Sequence, residues 1–315
     1  MSTNKIAALI FVVLISLAPL YFYPFLLMKM MCMALMAASF NLLFGYGGML
    51  SFGHAAFISS AAYITGYAAK MLQLSPLPSI VLGVATAAAV GFLFGLVAIR
   101  RRGIQFAMIT LALAQLVYFI FLQAPFTQGE DGLQDIPRGN VLGLINLQSS
   151  FVLYYFILAF TVLAFLGIYR IVNSPFGQII IAIRDNETRA TSLGYNVNRY
   201  KLALLVIAAA IAGLGGALKS ILFQIATLND ATYLASTEVV IVAVVGGIGT
   251  MAGPIVGAAT IVALDWFFAE SEFPVMVISG LVFMACVLLF RQGIVGTLGA
   301  LVERWRNSQK GSANV

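Results

Sequence analysis

Few side chains in this sequence are equipped for chemistry. His54 is the single histidine, and no second His, Cys or carboxylate stands at ligand spacing from it, which argues against a metal site. Cys32 and Cys286 lie inside apolar runs and read as small core hydrophobes, neither a disulfide nor a metal pair. No Gly-x-x-x-x-Gly-Lys-Ser/Thr is present, so no P-loop holds ATP on this chain. Gly-x-Ser-x-Gly and His-Glu-x-x-His are absent too, and the apolar runs carry no row of acids suited to proton coupling. No catalytic residue, metal ligand or cofactor is assigned. What remains is a set of polar and glycine-rich interruptions in a very apolar chain.

Four interruptions stand out. The first is Gly45-Tyr46-Gly47-Gly48, continuing through Ser51 to His54, and the second is Gly246-Gly247-Ile248-Gly249-Thr250, continuing to Gly253. Backbone that leaves a helix at membrane depth must be buried in protein or line a water-filled path, and broken helices there often build solute sites. Gly45, Gly47, Gly48, Ser51, His54, Gly246, Gly247 and Gly249 are therefore pathway candidates, with Thr110 and Gln115 from a neighbouring run. Small residues for close helix packing, a surface loop at the second break, and hydrogen bonding within the bundle are the plainer alternatives. The third interruption, Thr127 to Gly132, carries Glu130 and Asp131, which suit either docking of an external protein or a solvated turn. The fourth, 174–201, holds Arg184, Asp185, Glu187, Arg189, Arg199 and Lys201.

Elements must position these groups, and composition says what kind. Of 315 residues, 62% are hydrophobic and 9% charged, with mean hydropathy +1.02. Soluble domains carry roughly 25% charged residues. The chain reads as an all-α polytopic membrane protein, a single domain over 1–315; a barrel would show alternation instead. About ten embedded segments are expected: 6–23, 27–44, 51–71, 79–99, 104–123, 151–172, 202–224, a short 237–245, a short 254–268, and 273–290. A helix of about 12 residues reaches only about 18 Å, short of a roughly 30 Å hydrocarbon core, so the two short pieces read as a broken or re-entrant hairpin. The net charge of +6 suits cytoplasmic loops rather than nucleic acid. With both termini inside, only Lys29, Lys70 and Arg138 of the 17 basic residues fall outside, with Lys219 embedded. That orientation places 174–201 and the tail 291–315 in the cytoplasm.

Within 174–201, Ser174 and Pro175 read as an N-cap and first-turn proline for a helix from about 176 to 184. A second short helix begins near Asn186 and ends at Gly194 in the C-cap manner. Residues 196–198 are expected as an exit loop. SPFGQIIIAIRDNETRATSLGYNVNRYKLALLVIAAAIAGLGGAL resembles the coupling-loop region of ABC importer permeases of the branched-chain amino acid (LivM) type. FNLLFGYGGMLSFGHAAFISSAAYITGY and VVIVAVVGGIGTMAGPIVGAATIV are similar to the same family, and the resemblance covers nearly the whole chain. In that family the loop carries a Glu-Ala-Ala…Gly pattern that docks on the ATPase. Ala190 and Gly194 fit it; Glu187 stands one residue early and Thr188 occupies the Glu position.

The resemblance implies a permease subunit in a bacterial-type inner membrane, moving solute by alternating access and lacking an ATPase site of its own. Its implied partners are a LivH-like second permease, two ABC ATPases that carry ATP and Mg, a periplasmic or lipid-tethered binding protein, and the lipid bilayer. Arg184, Asp185, Asn186, Glu187, Ala190 and Gly194 would form the ATPase-coupling platform. Branched-chain or other hydrophobic amino acids are the expected cargo, with urea or short amides the alternative. A secondary transporter would need ion-coupling residues in its spans, and an intramembrane enzyme would need paired catalytic groups.

Overall fold

A computed structural model describes residues 15–141, 145–268 and 293–297, with isolated positions 277, 280, 281 and 284. Most of the expected first span, the last span and the tail 291–315 therefore lie outside the described residues. Among the described residues the regular structure is helical apart from two short strands, Asn140–Val141 paired with Ile145–Asn146. Its helices are α1 (Pro24–Phe40), α2 (His54–Lys70), α3 (Pro76–Ala98), α4 (Ile104–Gln123), α5 (Ser150–Val172), α6 (Pro175–Asp185), α7 (Glu187–Ser192), α8 (Val197–Phe223), α9 (Tyr233–Gly246) and α10 (Gly253–Phe268). A wider, π-type turn extends α1 through Asn41–Tyr46. Pro24, Pro76 and Pro175 open their helices in the first turn, where a missing N–H costs nothing.

Five helices are long and apolar enough to cross a bilayer: extended α1, α3, α4, α5 and α8. They divide by burial. Extended α1 is 78% buried and α8 61%, whereas α4 and α5 are 28% buried. The first two form the centre, and the others turn apolar surface outward, as a lipid-facing helix must. α8 packs against α1, α2 and α3, and α1 also meets α5, α9 and α10. Small residues permit these approaches. A Cβ at Gly216 would strike the Ile58 carbonyl of α2, and one at Gly91 would strike the Ala209 methyl of α8.

The short helices α9 and α10 fold back on each other. Their 14 and 16 residues reach only about 21 and 24 Å, and they pack together as a helical hairpin with its tip at 247–252. A Cβ at Gly246 would meet Gly253, and one at Gly257 would meet the Val242 carbonyl. The stretch 125–148 is anchored to the far end of α8 and the residues beyond it. Leu133 and Ala226 exchange backbone bonds of 2.9 Å, and Arg138 Nη2 donates to the Leu222 carbonyl at 2.8 Å.

The platform forms the two expected helices. Ser174 Oγ accepts from Gly177 N at 3.3 Å and Asn186 Oδ1 from Arg189 N at 2.9 Å, so each helix is capped by its own side chain. At Gly194 (φ +88°) Gly194 N donates to the Thr191 carbonyl and Tyr195 N to the Ala190 carbonyl, a Schellman ending. The exit loop at 196–198 is not a loop. Asn196 Oδ1 accepts from Arg199 N at 3.3 Å, capping α8, which starts at Val197.

Candidate functional site: two helix breaks and the platform that holds them

The two glycine-rich breaks, about 200 residues apart in sequence, meet in space. Asn41, on the π turn that ends α1, joins them from both sides. Its Nδ2 donates to the Thr250 carbonyl at 2.8 Å and its Oδ1 accepts from Gly249 N at 2.7 Å. A side chain on Gly45 would have its Cβ 2.5 Å from Asn41 Oδ1 and 2.7 Å from Gly249 N, so only glycine allows this approach. Sequence reasoning passed over Asn41. Its signal was an amide inside an apolar run, FNLLFGYGG, where a polar group needs a partner.

Beyond Tyr46 the chain leaves the helix, surfaces at Gly48 and otherwise follows the interior until α2 begins at His54. Gly47, Met49, Ser51 and Gly53 are buried. Buried backbone needs partners, and several are side chains. Thr110 Oγ1 accepts from Phe52 N at 3.2 Å. Ser236 Oγ of α9 donates to the Phe52 carbonyl at 2.7 Å and accepts from Ala55 N at 2.8 Å. Ser51 Oγ accepts from Gly53 N at 3.1 Å. Thr110 and Ser51 thus belong with the break, as tethers of its backbone. Ser236 was not singled out from sequence, because one serine near the start of a short apolar helix gives no pattern. Gln115 lies further along α4, its amide nitrogen buried without a partner among the described residues. His54 is fully buried, edge-on to Phe40 and Phe57 at 5.4 and 5.8 Å between ring centroids.

The platform reaches this junction directly. Arg184, one residue from the end of α6, donates from Nη1 to the Gly45 carbonyl at 2.7 Å. The same guanidinium holds Asp185 at 3.0 Å, which fixes its fork. Its aliphatic stem lies over Gly48 (φ +68°), where a Cβ would come 2.7 Å from Arg184 Cγ. The junction of the two breaks therefore stands at the platform end of the bundle.

The other platform residues divide by where they point. Glu187 faces its own chain, bound to Lys201 at 2.9 Å and to Arg102 at 3.1 Å. Ala190 is buried with Ile183 and Val197, in the seam that holds α7 against α6 and α8. Gly194 is exposed with open space around its Cβ position, and Leu193 (70% exposed) and Tyr195 flank it. Glu130 and Asp131 are exposed, in a turn fastened far from the platform.

These features define a multi-pass helical membrane protein whose interior contains broken helices. The chain belongs to the family described as branched-chain amino acid transport system, permease component, whose model matches residues 23–290. It is similar to the high-affinity branched-chain amino acid transport system permease protein LivM of Salmonella typhimurium (strain LT2). The two are 26% identical over 280 residues, which is 81% of this chain and 65% of that one. The Escherichia coli K12 protein of the same name matches with the same figures. The permease protein BraD of Pseudomonas aeruginosa is 27% identical over 286 residues, 84% of this chain and 91% of its own length. The chain thus spans just under two thirds of the LivM relatives it matches. No solved structure matches it.

Proposed function

We propose that this chain is the membrane-spanning permease subunit of an ATP-driven importer for branched-chain amino acids, with separate ATPases docking on 174–201. It would sit in a bacterial inner membrane with about ten embedded segments and both termini inside, beside a second permease and below an external binding protein. ATP and Mg would belong to the ATPases. The observation that carries this reading is the bond from Arg184 to the Gly45 carbonyl, because it joins the exposed platform to the junction of both breaks. A platform moved by an ATPase would pull on Gly45. Gly45 packs on Gly249 and the π turn, so the two breaks would shift together as the inner gate. Such a gate needs two discrete arrangements of a packed element, which chain breaks supply more readily than straight helices. Gly194, Leu193 and Tyr195 form the exposed tip on which the ATPase would close, while Glu187 and Ala190 would keep the platform rigid.

Purification from its native membrane tests this. An ATPase should copurify in stable stoichiometry, and the reconstituted complex should take up labelled leucine, isoleucine or valine only with ATP and the binding protein. A stable complex without any ATPase would refute the reading.

A further inference from the structure

At the end of the bundle opposite the platform, charges from several elements converge on one crevice. Lys219 of α8 holds Asp230 of the turn Leu228–Ala231, Nζ to Oδ1 2.6 Å. Lys29 of α1 stands 3.7 Å from Asp265 of α10. Glu238 of α9 lies within electrostatic reach of all four. Lys29, Lys219, Glu238 and Asp265 each sit within about two turns of the helix end remote from the platform. The two pairs match in charge, so the Glu238 carboxylate is left over. Among the described residues it has no hydrogen bond or ion pair, and it is exposed on the side of its helix.

A lone carboxylate in an apolar helix is costly against hydrocarbon and marks a site that needs a polar partner. The surroundings are open as well. Lys29 keeps 36% of its side chain exposed and Lys219 33%. Each ammonium has three donors, and a single carboxylate partner leaves some of them free. Phe25 precedes Lys29 by four residues and Phe223 follows Lys219 by four, so each ring shares a helix face with its lysine. The two rings meet edge to face at 5.1 Å and are half-buried. The crevice thus combines an unmatched carboxylate, two lysines with spare donors and an aromatic pair.

We propose that this crevice is the outward-facing recognition site for a zwitterionic amino acid with an aliphatic side chain. Glu238 takes the α-ammonium, Lys219 with Lys29 beside it takes the α-carboxylate, and Phe25 with Phe223 covers the side chain. The assignment rests on the importer reading above and deepens it.

The test uses the whole importer in proteoliposomes, with partner permease, ATPases and binding protein. Glu238→Gln should lower leucine uptake roughly 10- to 100-fold, the range for a lost charged hydrogen bond, and Glu238→Asp should recover part of it. Complex composition should not change. A second measurement isolates the ammonium. In the permease–ATPase complex without binding protein, saturation-transfer NMR should show leucine preferred over 4-methylpentanoate, and Glu238→Gln should erase the preference. Equal uptake by wild type and Glu238→Gln, or an unchanged preference, overturns the assignment. Loss of the partner permease from the Glu238→Gln complex also overturns it, making the carboxylate a subunit contact. A wild-type complex that carries no branched-chain amino acid fails the importer reading itself. Normal wild-type uptake with an indifferent Glu238→Gln fails only the crevice.

Discussion

Replacing Arg184 by alanine should uncouple ATP hydrolysis from uptake. The substitution removes the donor to the Gly45 carbonyl at 2.7 Å and leaves Asp185 unpaired on the exposed side. A hydrogen bond to a charged group contributes about 1.5–3 kcal/mol. The Arg184 side chain is 38% exposed, so solvent screening reduces this to about 1–2 kcal/mol. If that energy links platform position to gate position, its loss weakens the coupling roughly 5- to 30-fold. The ATPase should still copurify, because Arg184 faces inward, and basal hydrolysis should persist. The assay is the ratio of leucine imported to ATP hydrolysed in proteoliposomes. Arg184→Lys should recover only part of it, since a lysine cannot hold the Gly45 carbonyl and Asp185 with one rigid fork. A ratio in Arg184→Ala within about twofold of wild type would refute the strut, since the lower bound expected is about fivefold.

Three further outcomes check neighbouring parts. Asn41→Leu removes both bonds that join the breaks, to the Thr250 carbonyl and from the Gly249 N–H, at about 0.5–1.5 kcal/mol each because solvent reaches Gly249 and Thr250; thermal unfolding of the purified complex should come at lower temperature, and unchanged stability would show that the breaks do not depend on this residue. Glu187→Ala strands Lys201, whose side chain is 11% exposed, so amide exchange in 187–200 should accelerate while ATPase contact weakens only secondarily; unchanged exchange beside lost ATPase would make Glu187 a direct docking group. Gly194→Trp starts from a Cβ position with no atom within 4 Å and carries a left-handed strain of roughly 1–2 kcal/mol, so insertion should survive while ATPase association and uptake fall; normal uptake with full ATPase occupancy would remove the tip from the docking surface.

Much of this protein was legible along the chain because the bilayer imposes one-dimensional rules. Apolar length located α1, α3, α4 and α5 to within a few residues, since each must bridge hydrocarbon with its own hydrogen bonds. Ser174, Asn186 and Gly194 announced the platform helices because caps act within four residues. The glycine runs marked both breaks for a similarly local reason. Tertiary structure alone decided what those parts do to one another. That Gly45 meets Gly249, that Asn41 joins them and that Arg184 reaches back to Gly45 are contacts across more than a hundred residues, with no periodicity to reveal them. The same holds for Glu187 and Ala190. Their place in a family pattern suggested contact with a partner, but whether a short helix turns a residue outward or inward depends on where α8 and Arg102 stand. Glu238 shows the limit most clearly. One acid in a short apolar helix carries no message by itself, and it becomes an unmatched charge only when three other helices and the turn Leu228–Ala231 bring two lysines and two other carboxylates around it.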